Sequence, residues 1–296
     1  MNRYPKTSSK FQSWLQVWER RISERIAERY DIYLYHRVHP SAAVKNTLDL
    51  KVTPENFDLQ LSWLKKNREV LPLRELVDQH SQPSSNATAI TFDDGYLDNY
   101  EHAFPIIKKH KLPVTIFLST FWVDNYRRML CDQLDLCVKH GHIDENKFMQ
   151  TTWRLRHLMP DERQCLLEHQ FNYDPLWELR KLDDKHAMTW KMIREMQSSG
   201  LVQFEVHGHQ HLSCRHLAKD QFEHEILRCK ELISENVGIE PELFAYPFGS
   251  YEDVHADCAK WVEDLGFKAA FLAHGASNHK HHSKFLLDRT QNIPMS

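Results

Sequence analysis

Long hydrophobic runs are missing from this sequence. No segment approaches the roughly 18 to 20 apolar residues that a membrane-crossing helix needs, so no transmembrane segment is expected. The first 30 residues also lack the apolar core of a secretion signal, which makes the cytoplasm the expected address. Closely paired cysteines are missing too. The six cysteines, at 131, 137, 165, 214, 229 and 258, include no Cys-x-x-Cys pair, which argues against a disulfide framework and leaves reduced thiols of an intracellular protein. There is no excess of positive charge. Lys and Arg number 38 against 41 Asp and Glu, a formal charge of −3, so the chain carries no electrostatic footprint for nucleic acid. Glycine is scarce, at 8 residues, so each glycine at a strand end says something about backbone geometry.

What is present is ample core material and an unusual number of imidazoles. Hydrophobic residues make up 41% of the 296, enough for one large α/β domain or two small ones. The 20 histidines make a metal site easy to assemble, and they also supply a background of structural histidines. Residues 1–30 read as an N-terminal helical segment, with Phe11, Trp14, Leu15 and Trp18 at helical spacing. Acidic residues mixed through its polar face favour packing on the body or a partner over a membrane surface.

Residues 31–296 read as one domain. Ile32–Tyr35 is a strand ending at His36-Arg37, and Thr53 caps a helix that opens with Pro54. Ala89–Phe92 and Val114–Leu118 are buried strands on either side of a helix over Tyr100–His110, a βαβ unit that implies parallel strands. Further helices are expected over Thr189–Ser199, Lys219–Asn236 and Val254–Leu265, and further strands over Val202–Val206, Glu242–Ala245 and Lys268–Ala273. Between about 124 and 184 charged and apolar residues alternate at helical spacing, broken by prolines at 160 and 175, which marks a helical insertion. Repeated βα units favour a parallel barrel or a doubly wound sheet, and both gather reactive groups at the carboxyl ends of strands.

Three strand ends carry candidate chemistry. Ala89-Ile90-Thr91-Phe92 runs into Asp93-Asp94-Gly95-Tyr96, two adjacent carboxylates before a sharp turn. Side chains alternate along a strand, so the two should point different ways, one toward a metal and one free as a base. The plainer reading is a turn in which one of them caps the following helix. Val202–Val206 runs into His207-Gly208-His209-Gln210-His211, three imidazoles at alternate positions. Two histidines and a carboxylate with an open position for water make a catalytic metal site, while a polar loop in a histidine-rich chain is the alternative. Leu243–Ala245 opens into Tyr246-Pro247-Phe248-Gly249, whose backbone N–H groups could face a developing oxyanion.

In this order the three stretches resemble the polysaccharide deacetylase family, also called NodB-homology or carbohydrate esterase family 4 proteins. Thr91 to Gly95 matches its first motif in full, His207 and His211 match the paired histidines of its second, and Phe244 to Gly249 matches its third. Gly208 stands where a Ser or Thr is usual. The resemblance runs more loosely from Tyr35-His36-Arg37 to the C-terminus, outside the 124–184 insertion. It implies a distorted (β/α) barrel and a metal-dependent hydrolase that removes an acetyl or formyl group from an amino sugar. The substrate would be an N-acylated sugar of a glycan, or one linked to a lipid or nucleotide. Asp93 would be the general base, and Asp94, His207 and His211 would hold a divalent cation, with Zn²⁺ expected. His209 is the rival ligand. Backbone near Phe248, within Tyr246-Pro247-Phe248-Gly249, would stabilise the oxyanion.

Two departures stand out. The third motif often carries an arginine that orients the base, and Ala245 stands there instead. Arg289, on an expected last strand, is the candidate replacement, with a surface residue as the plainer reading. The family's late motif supplies a histidine as general acid. His274 fits that spacing loosely, without the usual Asp-Trp partner pair, and His36 competes with it for a place in the site. These departures leave room for a barrel that binds carbohydrate without turning it over. A phosphoesterase would need two metals about 4 Å apart, and ligands for only one can be counted.

Overall fold

The computed structural model describes residues 29–40, 50–82, 84, 86–124, 128–173 and 187–293. The helix expected within 1–30 and the last part of the expected insertion lie outside the described residues.

A curled sheet organises the domain. Its path runs from β1 (Arg29–Tyr35) through β5 (Ala87–Asp94), β6 (Val114–Leu118), β7 (Val202–Val206) and β8 (Leu243–Ala245) to β9 (Ala269–Phe271), every neighbouring pair parallel. The short strand β10 (Asn278–His279) adds to the outer edge of β1 antiparallel, and β4 (Glu69–Val70) pairs with the start of β5. A two-stranded piece, β2 (Arg37–Val38) with β3 (Lys51–Val52), stands apart.

The gap between β9 and β1 is bridged by the segment Leu287–Thr290. On one side Leu287 N–H donates to Ala270 O and Leu272 N–H to Leu287 O; on the other Thr290 N–H donates to Ile32 O and Leu34 N–H to Thr290 O. Curling brings the two sheet edges close enough for one short segment to satisfy both, which makes the sheet a distorted barrel.

Alternation along the strands sorts side chains into two apolar layers. Ile32, Ala89, Phe117, Leu243, Ala245, Ala269, Phe271 and Leu287 fill the barrel, with Leu73, Leu76 and Val77 of a short helix packed against them. Alanines at three of these positions suit the narrow interior. Tyr33, Ile90, Phe92, Ile116, Phe204 and Phe244 face outward under the surrounding helices, among them Pro54–Asn67, capped by Thr53 Oγ1, and Lys219–Val237.

The expected insertion is helical as far as it is described, with helices over Leu130–Lys139, Phe148–Arg156 and Pro160–Phe171 around their own apolar cluster. Two expected helices differ. The Tyr100–His110 helix begins as a wider π turn over Asn99–Ala103 before Phe104–His110. The one expected over Val254–Leu265 is confined to Cys258–Asp264, because Ser250 to Asp253 form a separate turn pinned by the Ser250 hydroxyl on Asp253.

Candidate active site and metal centre

The carboxyl ends of β5, β7 and β8 converge on one cavity of about 490 Å³, whose lining includes Asp93, Asp94, His207, His211 and Phe248. Strand register fixes the first residue. Asp93 pairs with Phe117, an interior residue, so its carboxylate points into the barrel mouth. There Arg289 meets it as a two-pronged fork, Nη1 to Oδ1 at 2.6 Å and Nη2 to Oδ2 at 2.7 Å. The guanidinium lies over the Phe117 ring, 5.2 Å from its centroid, and its Nε donates to Leu272 O at 3.0 Å. Arg289 is 1% exposed, so its reading as a surface residue is corrected: barrel closure turns it inward. Burial alone would raise the Asp93 pKa, but the charge and hydrogen bonds of Arg289 outweigh it and hold the carboxyl down at about 2. Neither aspartate is a free turn residue, and Asp93 does not cap the next helix.

Asp94 would point away from the barrel mouth if the strand continued. Instead its backbone takes φ +77°, and Gly95 follows at +84°. This left-handed turn swings the second carboxylate to the same mouth, which overrides the alternation expected of adjacent strand residues. Asp94 Oδ1 lies 3.6 Å from His207 Nε2 and 3.3 Å from His211 Nε2.

His207 Nδ1 lies 2.8 Å from Ala245 O. A carbonyl only accepts, so Nδ1 carries the proton and Nε2 presents its lone pair to Asp94. Thus Ala245, where the arginine of the third motif is usual, still serves the site through its backbone. Burial lowers the pKa of both His207 and His211, keeping the rings neutral, as ligands must be. His209 goes elsewhere, with Nδ1 3.0 Å from Thr120 Oγ1 and its ring edge-on to Phe121. The chain has left the strand by His207, and His211 turns back at φ +54°, so alternate spacing no longer brings His209 to the same side.

Among the described residues, Asp94, His207 and His211 are the one group of three whose donor atoms gather, all within 4.8 Å. Two bonds of about 2.0–2.2 Å at a tetrahedral angle place donor atoms about 3.4 Å apart, close to the spacings seen here. Asp94 Oδ1 is also buried without a hydrogen-bond partner, and burial beside ionised Asp93 pushes the Asp94 pKa well above the carboxylate range. A cation at this point resolves both features, so the residues fit one.

The remaining candidates separate. Of Tyr246-Pro247-Phe248-Gly249, Phe248 alone lines the cavity, its ring 4.5 Å from that of His211. Tyr246 is fully buried, and its hydroxyl donates to Phe285 O. Pro247 packs under Gly208, and Gly249 packs against Ala273 too tightly to admit a Cβ. His274 is exposed and its ring contacts Tyr251, because Ala273 takes the cavity-facing position and the next side chain points out. His36 does line the cavity. Its Nδ1 is buried without a partner, and burial pushes its pKa down to about 4. The insertion supplies much of the opposite wall, including Met149, Thr152, Trp153 and Arg156, none of which shows a motif in the sequence.

A curled parallel barrel with a forked Asp93 beside an Asp-His-His group defines the class of protein, and the comparisons agree. The polysaccharide deacetylase family model matches residues 80–270, well over half of the chain, and the chain belongs to that family. A Bacillus subtilis protein named for the same family, YxkH, is 30% identical over 114 residues, which span 37% of this chain and 39% of that protein. The poly-beta-1,6-N-acetyl-D-glucosamine N-deacetylase of Staphylococcus aureus is 24% identical over 80% of this chain and 69% of its own length. Among solved structures, the Streptococcus pyogenes deacetylase PplD in complex with acetate superposes with a TM-score of 0.62 at 19% identity, covering 90% of this chain and 93% of that one. IcaB from Ammonifex degensii gives 0.60 at 19% identity, over 90% and 93%. These likenesses establish the fold as the distorted (β/α) barrel of the NodB-homology type.

Proposed function

We propose that this chain is a metal-dependent hydrolase that removes an acetyl or formyl group from the nitrogen of an amino sugar in a glycan or glycan precursor. The observation that carries the reading is Arg289 locking Asp93 beside a buried, partnerless Asp94 Oδ1 that faces two neutral imidazoles. The relatives' activity on an N-acetyl-D-glucosamine polymer supports an N-acyl amino sugar as the substrate class.

In this reading Asp94, His207 and His211 hold the cation, with Zn²⁺ expected for a two-histidine, one-carboxylate set. When bound, a divalent ion polarises the acyl oxygen and lowers the pKa of a water to about 7. Asp93 accepts the proton of the attacking water. Its fork with Arg289 keeps it ionised at every working pH and fixes its aim, at the expense of basicity. Backbone near Phe248 faces the oxyanion. The proton that Asp93 takes from the water passes on to the leaving nitrogen. His36, rather than His274, reaches the cavity, and burial keeps its ring neutral there, so it lines the site without supplying that proton.

Acetate and formate release from N-acylated amino sugars tests the proposal. Wild-type protein should release acyl groups, and Asp93→Asn should lose at least about 100-fold in rate while keeping its metal, since general-base catalysis contributes on this order. Undiminished release by Asp93→Asn would overturn the role of Asp93, and no release by the wild type from any such sugar would overturn the function.

A further inference from the structure

One wall of the catalytic cavity comes from the insertion rather than the barrel. Met149 and Trp153, one helical turn apart on Phe148–Arg156, share the face that lines it. They remain 54% and 52% exposed, while Phe148, Thr152 and Leu155 of the same helix are buried. Two large side chains left open beside the cavity are not core filler. Trp153 is nonetheless held in place. Its indole N–H donates to Glu252 Oε2 at 3.2 Å, and the His157 ring meets it edge-on with centroids 4.8 Å apart. Glu252 follows Phe248 closely in the loop after β8, so the indole is tied to the segment that lines the other side of the site. An anchored, half-open indole offers the flat apolar surface on which the C–H face of a pyranose ring stacks.

Charge narrows the occupant. Among the described residues that line the cavity, Arg156 is the only guanidinium or ammonium group. Its Nε is ion-paired with Asp253 at 3.0 Å, and its Nη2 lies 3.8 Å from Glu252. Deeper in, Arg289 is committed to Asp93. Among the described residues of this wall a diphosphate linker therefore finds no uncommitted cation, whereas a neutral sugar needs none. A volume of about 490 Å³ also lies in the range of ordinary ligand sites.

We propose that Trp153, flanked by Met149, is a stacking platform for a neutral sugar ring adjoining the one whose N-acyl group reaches Asp94, His207 and His211. It sets specificity for an oligosaccharide over a nucleotide-linked monosaccharide. The placement of the reacting ring rests on the deacylase reading; the platform itself does not.

The test uses the full chain loaded with Zn²⁺ and N-acetylglucosamine mono-, di- and trisaccharides, with a nucleotide-diphosphate-linked monosaccharide as competitor. The wild-type kcat/KM for the trisaccharide should exceed that for the monosaccharide tenfold or more. The ratio should collapse toward one in Trp153→Ala, mainly through KM, and be largely kept by Trp153→Phe. An unchanged ratio in Trp153→Ala, or preference for the nucleotide-linked sugar, overturns the proposal. Calorimetry on Asp93→Asn separates it from the deacylase reading. Trisaccharide binding that weakens at least fivefold when Trp153→Ala is added supports the platform even if no acyl group is ever released. Binding that does not weaken, or no trisaccharide binding at all, overturns it.

Discussion

At the scale of single residues, the site depends on one conformational exception and one long-range pair. Asp93, Asp94, His207 and His211 were legible because their motifs sit at strand ends. The direction of Asp94 was not, since alternation describes a strand and φ +77° leaves it. Arg289 was half legible: the sequence offered it as a candidate but could not show that barrel closure would bury it against Asp93. Its removal gives a pH test. With Arg289 the Asp93 pKa lies at about 2, below the ordinary carboxylate value, so the pair's stabilisation is complete above about pH 4 and is lost as pH falls through 2. In Arg289→Ala burial acts uncompensated and moves that pKa upward. The acid limb of the pH–rate profile should therefore shift to higher pH, with a loss of about 10- to 100-fold in rate at neutral pH. An unshifted limb would mean that Arg289 is merely structural. The two histidines give a second test. His36→Ala should lower kcat/KM by about 10-fold or more, because it removes a side chain that lines the cavity, and His274→Ala should stay within about twofold. Equal losses would return His274 to the chemistry.

At the scale of elements, most strands and helices could be read from period and caps. The closing segment was expected as a last strand carrying Arg289, but Leu287–Thr290 makes isolated bridges to two edges rather than a strand with its own pattern, and that joining of the edges could not be read. It is held from the side by Asn278, whose Nδ2 donates to Asp288 O while its Oδ1 accepts from Asp288 N–H, at 2.7 and 2.8 Å. Asn278 is fully buried. Asn278→Ala leaves two main-chain groups of Asp288 unpaired, a loss of roughly 2–4 kcal/mol. A urea titration should show that loss. Activity should fall beyond what the folded fraction explains, because the segment that aims Arg289 loosens. Full stability in this variant would contradict the clamp.

At the scale of the whole molecule, the barrel supplies a buried, polar mouth and the insertion supplies a wall across it. A charged pair sits inside the barrel at each end. Glu205 meets Arg74 at 2.6 Å, near the backbone of Glu242 and Leu243, and Asp93 meets Arg289 at the barrel mouth. Such pairs stabilise little for their burial and strongly penalise loss of one partner, so they fix which strands meet and where. The resemblance foretold the barrel and the helical reading foretold the insertion, but that the two share one cavity needed the folded chain. The central claim is that Asp94, His207 and His211 form a cation site on which turnover depends. It is tested most directly by titrating metal-depleted protein with Zn²⁺ while following acyl release, in wild type and in Asp94→Ala. Activity that returns and saturates at about one ion per chain in wild type, and never returns in Asp94→Ala, is the predicted result. Full activity without metal, or full recovery in Asp94→Ala, would contradict the account.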